Sequence, residues 1–218
     1  MRPVLTLLAA AAALACTPAS AKSGDPAHPD LTGFWGPSFK KAAMPEDLRA
    51  KLPPNTVILD DTGVAEFPRG EYGGLALTAK AKAHADAWTP EQEMTLTRVC
   101  LPQSVVYAEQ GPFPFEIEQA PGLLVFRYEY FDQVRLIHTD GRGHLPADAP
   151  HTKVGDSIGH WEGDTLVIDT DHLAASTITN NGARFIDWAR EPGKHIYPYE
   201  CDPSFAVEYQ GVKTGSGN

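Results

Sequence analysis

From Phe113 to Asp169 the chain alternates apolar and polar residues in short runs, and each run stops at a turn signal. Phe113-Pro114-Phe115-Glu116-Ile117-Glu118 alternates, Pro121-Gly122 turns, and Leu123 to Tyr130 alternates again. A period of two sends successive side chains to opposite faces, which is the pattern of half-buried strands and not of helices. Gly155 to Asp169 repeats the device: one strand ends at Trp161, Glu162-Gly163-Asp164 turns, and Thr165 to Asp169 returns. The expected fold is mainly β, an antiparallel β-barrel or strongly curved sheet with two or three short flanking helices. Glycine and proline number 19 each, which favours turns and short strands over a helical bundle. Strands and helices do not alternate along the chain, which argues against a doubly wound sheet.

The turns imply a register. With Pro121-Gly122 as a two-residue loop, Phe115 faces Tyr128, Glu116 faces Arg127 and Ile117 faces Phe126. With Asp132-Gln133 as the next tight loop, Arg127 faces His138 and Tyr130 faces Arg135. One face then carries Phe113, Phe115, Ile117, Phe126, Tyr128 and Tyr130. The other carries a lateral row, Glu116–Arg127–His138. A one-residue slip in either turn would dissolve the row.

The N-terminus reads as an export signal over residues 1–21: Met1-Arg2, an apolar run from Val4 to Ala15, and Ala19-Ser20-Ala21 before the cut. The alternative is cleavage before Cys16 with lipid anchoring, for which the Leu of Ala13-Leu14-Ala15 sits one place late. A flexible leader (22–30), one β-rich domain (31–210) and a flexible tail (211–218) follow. Pro45 to Leu52 is a short helix candidate. Thr78 caps a helix from Ala79 to Trp88, and Thr89-Pro90-Glu91-Gln92 forms a capping box that restarts one. No later segment is apolar enough to span a bilayer.

Processing leaves two cysteines, Cys100 and Cys201, which in an oxidising compartment read as one disulfide. The rival, a reactive thiol or metal ligand, lacks a nearby CxxC or CxxH partner. The formal net charge of −10 becomes −11 when Arg2 is removed, a surface that disfavours nucleic acid and anionic membranes.

Chemistry concentrates late. Five of the eight histidines (His138, His144, His151, His160 and His172) fall within 35 residues. Such a cluster suits acid–base work or metal ligation. HExxH, HxH and facial-triad spacings are lacking, so neither a metal nor another cofactor is expected. The candidate catalytic residues are His138, Glu116 and His160. The candidate substrate contacts are Arg127, Tyr128, Tyr130, Arg142, His144 and Trp161. In this reading Arg142, His144 and His160 ring a barrel mouth floored by Tyr128 and Trp161, and Arg142 binds an anionic group. The bland reading makes Arg142 a turn residue, the histidines exposed, and the aromatic residues core.

The stretches Pro112 to Tyr130, Arg135 to His144 and Ser157 to Thr170, with Phe115-Glu116-Ile117, Tyr128-Glu129-Tyr130, Thr139-Asp140-Gly141-Arg142, His144, Trp161 to Val167 and Asp169-Thr170 at their centre, also form a pattern. It resembles that of a widespread family of exported bacterial proteins of unassigned function. The likeness covers about residues 75–172, and more faintly Tyr199-Glu200-Cys201. It implies export and no particular activity. The stretch between Thr170 and Cys201 is shorter than the resemblance implies, which leaves closure of the barrel open. Gly33-Phe34-Trp35 is similar to the Gly-x-Trp of lipocalin-like barrels. Three functions follow from these residues. One is a cofactor-free lyase, isomerase or hydrolase acting on a small aromatic or apolar organic molecule. The second is a non-catalytic carrier of such a molecule. The third is an envelope interaction protein with a filled barrel.

Overall fold

The structure is a computed structural model that describes residues 28–38, 43–59, 67–111, 113–175, 183–184 and 188–215. The signal segment, Cys16 and most of the leader lie outside the described residues. Nine strands are present among the described residues: β1 (Gly33–Pro37), β2 (Ile58–Leu59), β3 (Phe115–Ala120), β4 (Leu123–Tyr128), β5 (Val134–His138), β6 (Asp156–Glu162), β7 (Thr165–Asp171), β8 (Ala183–Arg184) and β9 (Trp188–Arg190). Seven of them form one mixed sheet in the order β7-β6-β5-β4-β3-β1-β9, curled into a half-barrel. Its pairs are antiparallel except β5–β6, which are parallel and joined by the long crossover 139–155. β2 and β8 form a separate parallel pair.

The β3–β4 hairpin has the expected register, with Phe115 opposite Tyr128, Glu116 opposite Arg127 and Ile117 opposite Phe126. The next turn differs. Arg127 lies opposite Val134, and His138 lies opposite Leu123. The reason is a 3-10 turn at Tyr130–Asp132, with Phe131 at φ 54° and Asp132 at φ 51°. Left-handed backbone is costly for bulky residues and is kept only where surroundings impose it. Here the Tyr199 ring stacks on Phe131 at 4.1 Å, and the Asp132 carboxylate accepts the Tyr199 N–H at 3.2 Å. The turn moves the pairing by four residues. An even shift keeps each side chain on its face, so His138 shares the outer face with Glu116 and Arg127 but leaves their row. Tyr130 likewise does not face Arg135, whose partner is Phe126.

Burial follows the alternation. Phe115, Ile117, Leu124, Phe126, Tyr128 and Ile137 are buried on the core face, where Val105 and Ala108 of the fourth helix, α4 (Val105–Gln110), pack against them. Each such side chain contributes roughly 1.5–3 kcal/mol when fully buried. The other α-helices among the described residues are α1 (Glu46–Arg49), α2 (Ala79–Ala87), α3 (Pro90–Glu93) and α5 (Phe205–Gly215). The Thr78 hydroxyl caps α2 by accepting from the Ala81 N–H at 3.2 Å. The capping box at Thr89 does not form: that side chain makes no cap bond, and the Gln92 amide donates to the Ala87 carbonyl. Helix α5 extends to Gly215, into the stretch read as tail. Cys100 and Cys201 form the expected disulfide across 101 residues. A loop that long corresponds to about 4–5 kcal/mol on the chain-entropy account.

Candidate functional site

Besides the exposed His160–Glu162 pair, two histidine–carboxylate groups among the described residues sit on the outer face, near opposite edges of the sheet. The first is at the β6–β7 edge. The register sets Asp156 directly opposite Asp171, and Asp169 lies two residues before Asp171 on the same face. The 139–155 crossover returns His144 to these carboxylates. Its Nδ1 lies 2.9 Å from Asp156 Oδ2 and 3.1 Å from Asp171 Oδ1, and its Nε2 lies 3.5 Å from Asp169 Oδ2. The Leu145 N–H donates to Asp156 Oδ2 at 2.9 Å. His172 sits in left-handed backbone at φ 51°, which sets its Nδ1 2.6 Å from Asp171 Oδ1 and its Nε2 2.9 Å from the Pro146 carbonyl. Gly155 lets β6 start here: at φ 69°, a Cβ would come 2.5 Å from the Asp171 carbonyl oxygen.

The charges respond. The hydrogen bond with Asp156 raises the His144 imidazole above its ordinary value, and that with Asp171 raises His172. Burial works to raise the Asp156 carboxyl, but the Leu145 N–H and the His144 ring outweigh it and lower it.

Behind this corner, on the core face, lies a polar network. Arg135, only 6% exposed, donates to Glu109 at 2.7 Å, Ser157 at 3.0 Å and Thr170 at 2.6 Å. The Tyr128 hydroxyl donates to the same Glu109 oxygen. Burial, then the Glu109 charge, pushes the Tyr128 hydroxyl well above the ordinary range. The network satisfies its buried polar groups and rigidifies the backs of β6 and β7.

The second group lies at the β3–β1–β9 edge. After β9 the chain turns at Gly193 and runs back as a strap. The backbone N–H groups of Ile196, Tyr197 and Tyr199 donate to the carboxylates of Glu116, Glu129 and Asp132. The strap brings His195 Nδ1 to 2.9 Å from Glu116 Oε1. Between strap and sheet opens a cleft of about 500 Å³, with Phe34, Glu116, Arg190, Glu191, Lys194 and His195 in its walls. The Lys194 ammonium stands 6.0 Å above the Phe34 ring and pairs with Glu191.

The sequence-selected residues divide between these places. Glu116 does meet a histidine, but it is His195, not His138. His138 stands on the outer face beside Ile158. Arg127 is half exposed and pairs with Glu118 at 3.4 Å. His160 is exposed and bonds Glu162 of its own strand at 3.2 Å. Arg142 is clamped by Asp140, with its Nε at 2.9 Å and a terminal nitrogen at 2.7 Å, which pulls the Asp140 carboxyl down to about 2. Tyr128 and Tyr130 are buried in the core, and Trp161 stacks on His28 at 4.8 Å. Of the proposed ring, only His144 joins the carboxylate cluster, while Tyr128 is buried in the core and Trp161 lies against the His28 ring.

Sequence reasoning missed His195, Asp156, Asp171, His172 and Glu109 as partners. Asp169-Thr170-Asp171 carried a usable signal, two carboxylates on one strand face. His195 carried none, being 79 residues from Glu116. No protein-family model, curated protein or solved structure matches the chain.

Proposed function

We propose that this is an exported protein that binds a small aromatic or apolar organic molecule in the Glu116–His195 cleft and moves a proton on it. The observation that carries the reading is the pair itself. A fixed carboxylate, 19% exposed and held by the Ile196 N–H, lies 2.9 Å from an imidazole that lines a cleft with an apolar wall. Concave sites that set an apolar surface beside convergent polar groups suit small organic ligands, and here Phe34 and Ile117 face Glu116, Arg190, Lys194 and His195. In this reading Glu116 accepts the Nδ1–H and fixes the tautomer, so that Nε2 acts as base. Nε2 takes a proton from an acidified carbon or hydroxyl of the ligand. Glu116 stabilises the imidazolium, and the proton returns to the same molecule. Phe34 packs the ring or chain of the ligand. The disulfide supports export, since such bonds persist in oxidising compartments. No described helix is long and apolar enough to cross a membrane.

The test is a thermal-shift screen of small aromatic and apolar compounds on the mature chain. Hits are expected to lose binding in both Glu116→Gln and His195→Ala. Both variants should melt within a few degrees of the parent, because the pair is near the surface. Hits that bind both variants as well as the parent would refute the assignment.

A further inference from the structure

We propose that His144, Asp156 and Asp171 form a binding site for one divalent transition-metal ion of the zinc or manganese type. This site is separate from the cleft and does not depend on it. The donor atoms are already grouped: His144 Nδ1, a carboxylate oxygen of Asp156 and one of Asp171 lie within 4.8 Å of one another. The two nitrogen–oxygen separations, 2.9 and 3.1 Å, are hydrogen-bond distances that need open only slightly to admit one ion between the atoms. Ligands about 2.1 Å from a zinc ion stand roughly 3.0–3.4 Å apart.

Three further features point to an ion. Asp156 and Asp171 are direct cross-strand partners, a repelling arrangement that His144 and His172 offset as imidazolium ions and that a metal ion would offset in place of the His144 proton. Asp169 joins them on the same face, so three carboxylates meet two imidazoles. The His144 Nε2 atom is shut off from solvent and has no hydrogen-bond partner, while Asp169 waits 3.5 Å away. A metal-bound histidine donates its far N–H to a carboxylate, and here Nδ1 would bind the ion while Nε2–H turns to Asp169. Each ligating carboxylate already has its own support: the Leu145 N–H holds Asp156, and His172, braced on the Pro146 carbonyl, holds Asp171. Fixed outer partners of this kind orient metal ligands.

The donor set chooses the ion. One imidazole nitrogen with two carboxylate oxygens suits zinc or manganese. Calcium takes six to eight oxygens, and magnesium keeps its waters and favours oxygen alone. Water fills the remaining positions.

The experiment is calorimetric titration of the untagged, chelator-treated mature chain with zinc chloride and manganese chloride. One ion per chain is expected, with calcium and magnesium at equal concentration failing to compete. Asp156→Asn should lose at least about 100-fold in affinity, and Asp169→Asn about 10–100-fold, as removal of an outer partner does. His195→Ala should bind the ion unchanged, which separates this site from the cleft. Circular dichroism and melting of the variants check folding, and Asp169→Asn, outside the donor set, serves if Asp156→Asn misfolds. Absence of a one-to-one site, or equal ion affinity in a folded Asp156→Asn chain, would overturn the proposal. So would loss of the site in His195→Ala.

Discussion

His144 and His195 each place Nδ1 2.9 Å from a carboxylate oxygen, yet His144 is 20% exposed and His195 is 83% exposed. Their surroundings explain the difference. His144 is enclosed by three carboxylates projecting from two paired strands, and those strands are braced from behind by Arg135. His195 hangs on a strap whose backbone is tied by hydrogen bonds to one carboxylate of the sheet, Glu116, and two of the β4–β5 turn, Glu129 and Asp132. A closed donor set with oriented partners suits an ion that must be held from several sides. An open pair beside an apolar wall suits a molecule that enters, exchanges a proton and leaves. The same side-chain chemistry is thus given two physical settings by where the backbone comes from.

The largest expected effect tests whether the two settings are independently built. Arg135→Ala removes the buried guanidinium that holds Glu109, Ser157 and Thr170, at a cost of about 1.5–3 kcal/mol in urea unfolding, since Glu109 is a third exposed and keeps the Tyr128 hydroxyl. It also removes the brace behind β6 and β7. In the chain that remains folded, ion affinity at His144 should fall while ligand binding in the cleft persists. Equal loss at both places would mean that the sheet transmits the damage, and the comparison would fail.

A small effect sharpens the contrast from the other side. Asp140 and Arg142 form an ion pair beside the corner, but both are exposed. The Asp140 carboxyl titrates at about 2 in the folded chain against an ordinary 3.8. A depressed carboxylate contributes stability above the ordinary value and loses it as pH falls through the folded one. The difference in stability between the parent and Asp140→Asn should therefore be present at pH 5, fall away below about pH 4, and be gone once the pH is below about 2. Solvent screening keeps it small, with melting shifts of only about one or two degrees. A shift of many degrees would show that the pair is structural in the way Arg135 is.

Much of the architecture was legible. Pro121-Gly122 set the β3–β4 register because proline and glycine leave that turn few alternatives. The second hairpin, turning after Trp161 and returning from Thr165, was also readable, and its register sets Asp156 opposite Asp171. The β4–β5 turn was not legible. Its left-handed residues are Phe131 and Asp132, and what holds them is Tyr199, 67 residues away from Asp132. Local turn rules carry no information about such a partner.

The sites were legible in proportion to how local they are. His144 could be singled out from the histidine cluster, but its donor set joins a crossover loop to two strands, so no fixed spacing announces it. Glu116 was legible as an outer-face carboxylate. Its histidine comes from the strap, and the expected partner, His138, was displaced by the four-residue shift in the turn. Arg135 was readable as a strand residue, while its role depends on Glu109 from α4, a helix without a strong start signal: Ser104 makes no side-chain cap bond.

The division of labour between corner and cleft is tested most directly by proton–nitrogen NMR of the histidine side chains in the metal-free mature chain, recorded before and after one equivalent of zinc. The expected result is a large change at Nδ1 of His144, a smaller one at His172, and unchanged His195 signals. A change confined to His195, or spread evenly over exposed histidines such as His160, would contradict the assignment of the ion to the corner and the open cleft to the ligand.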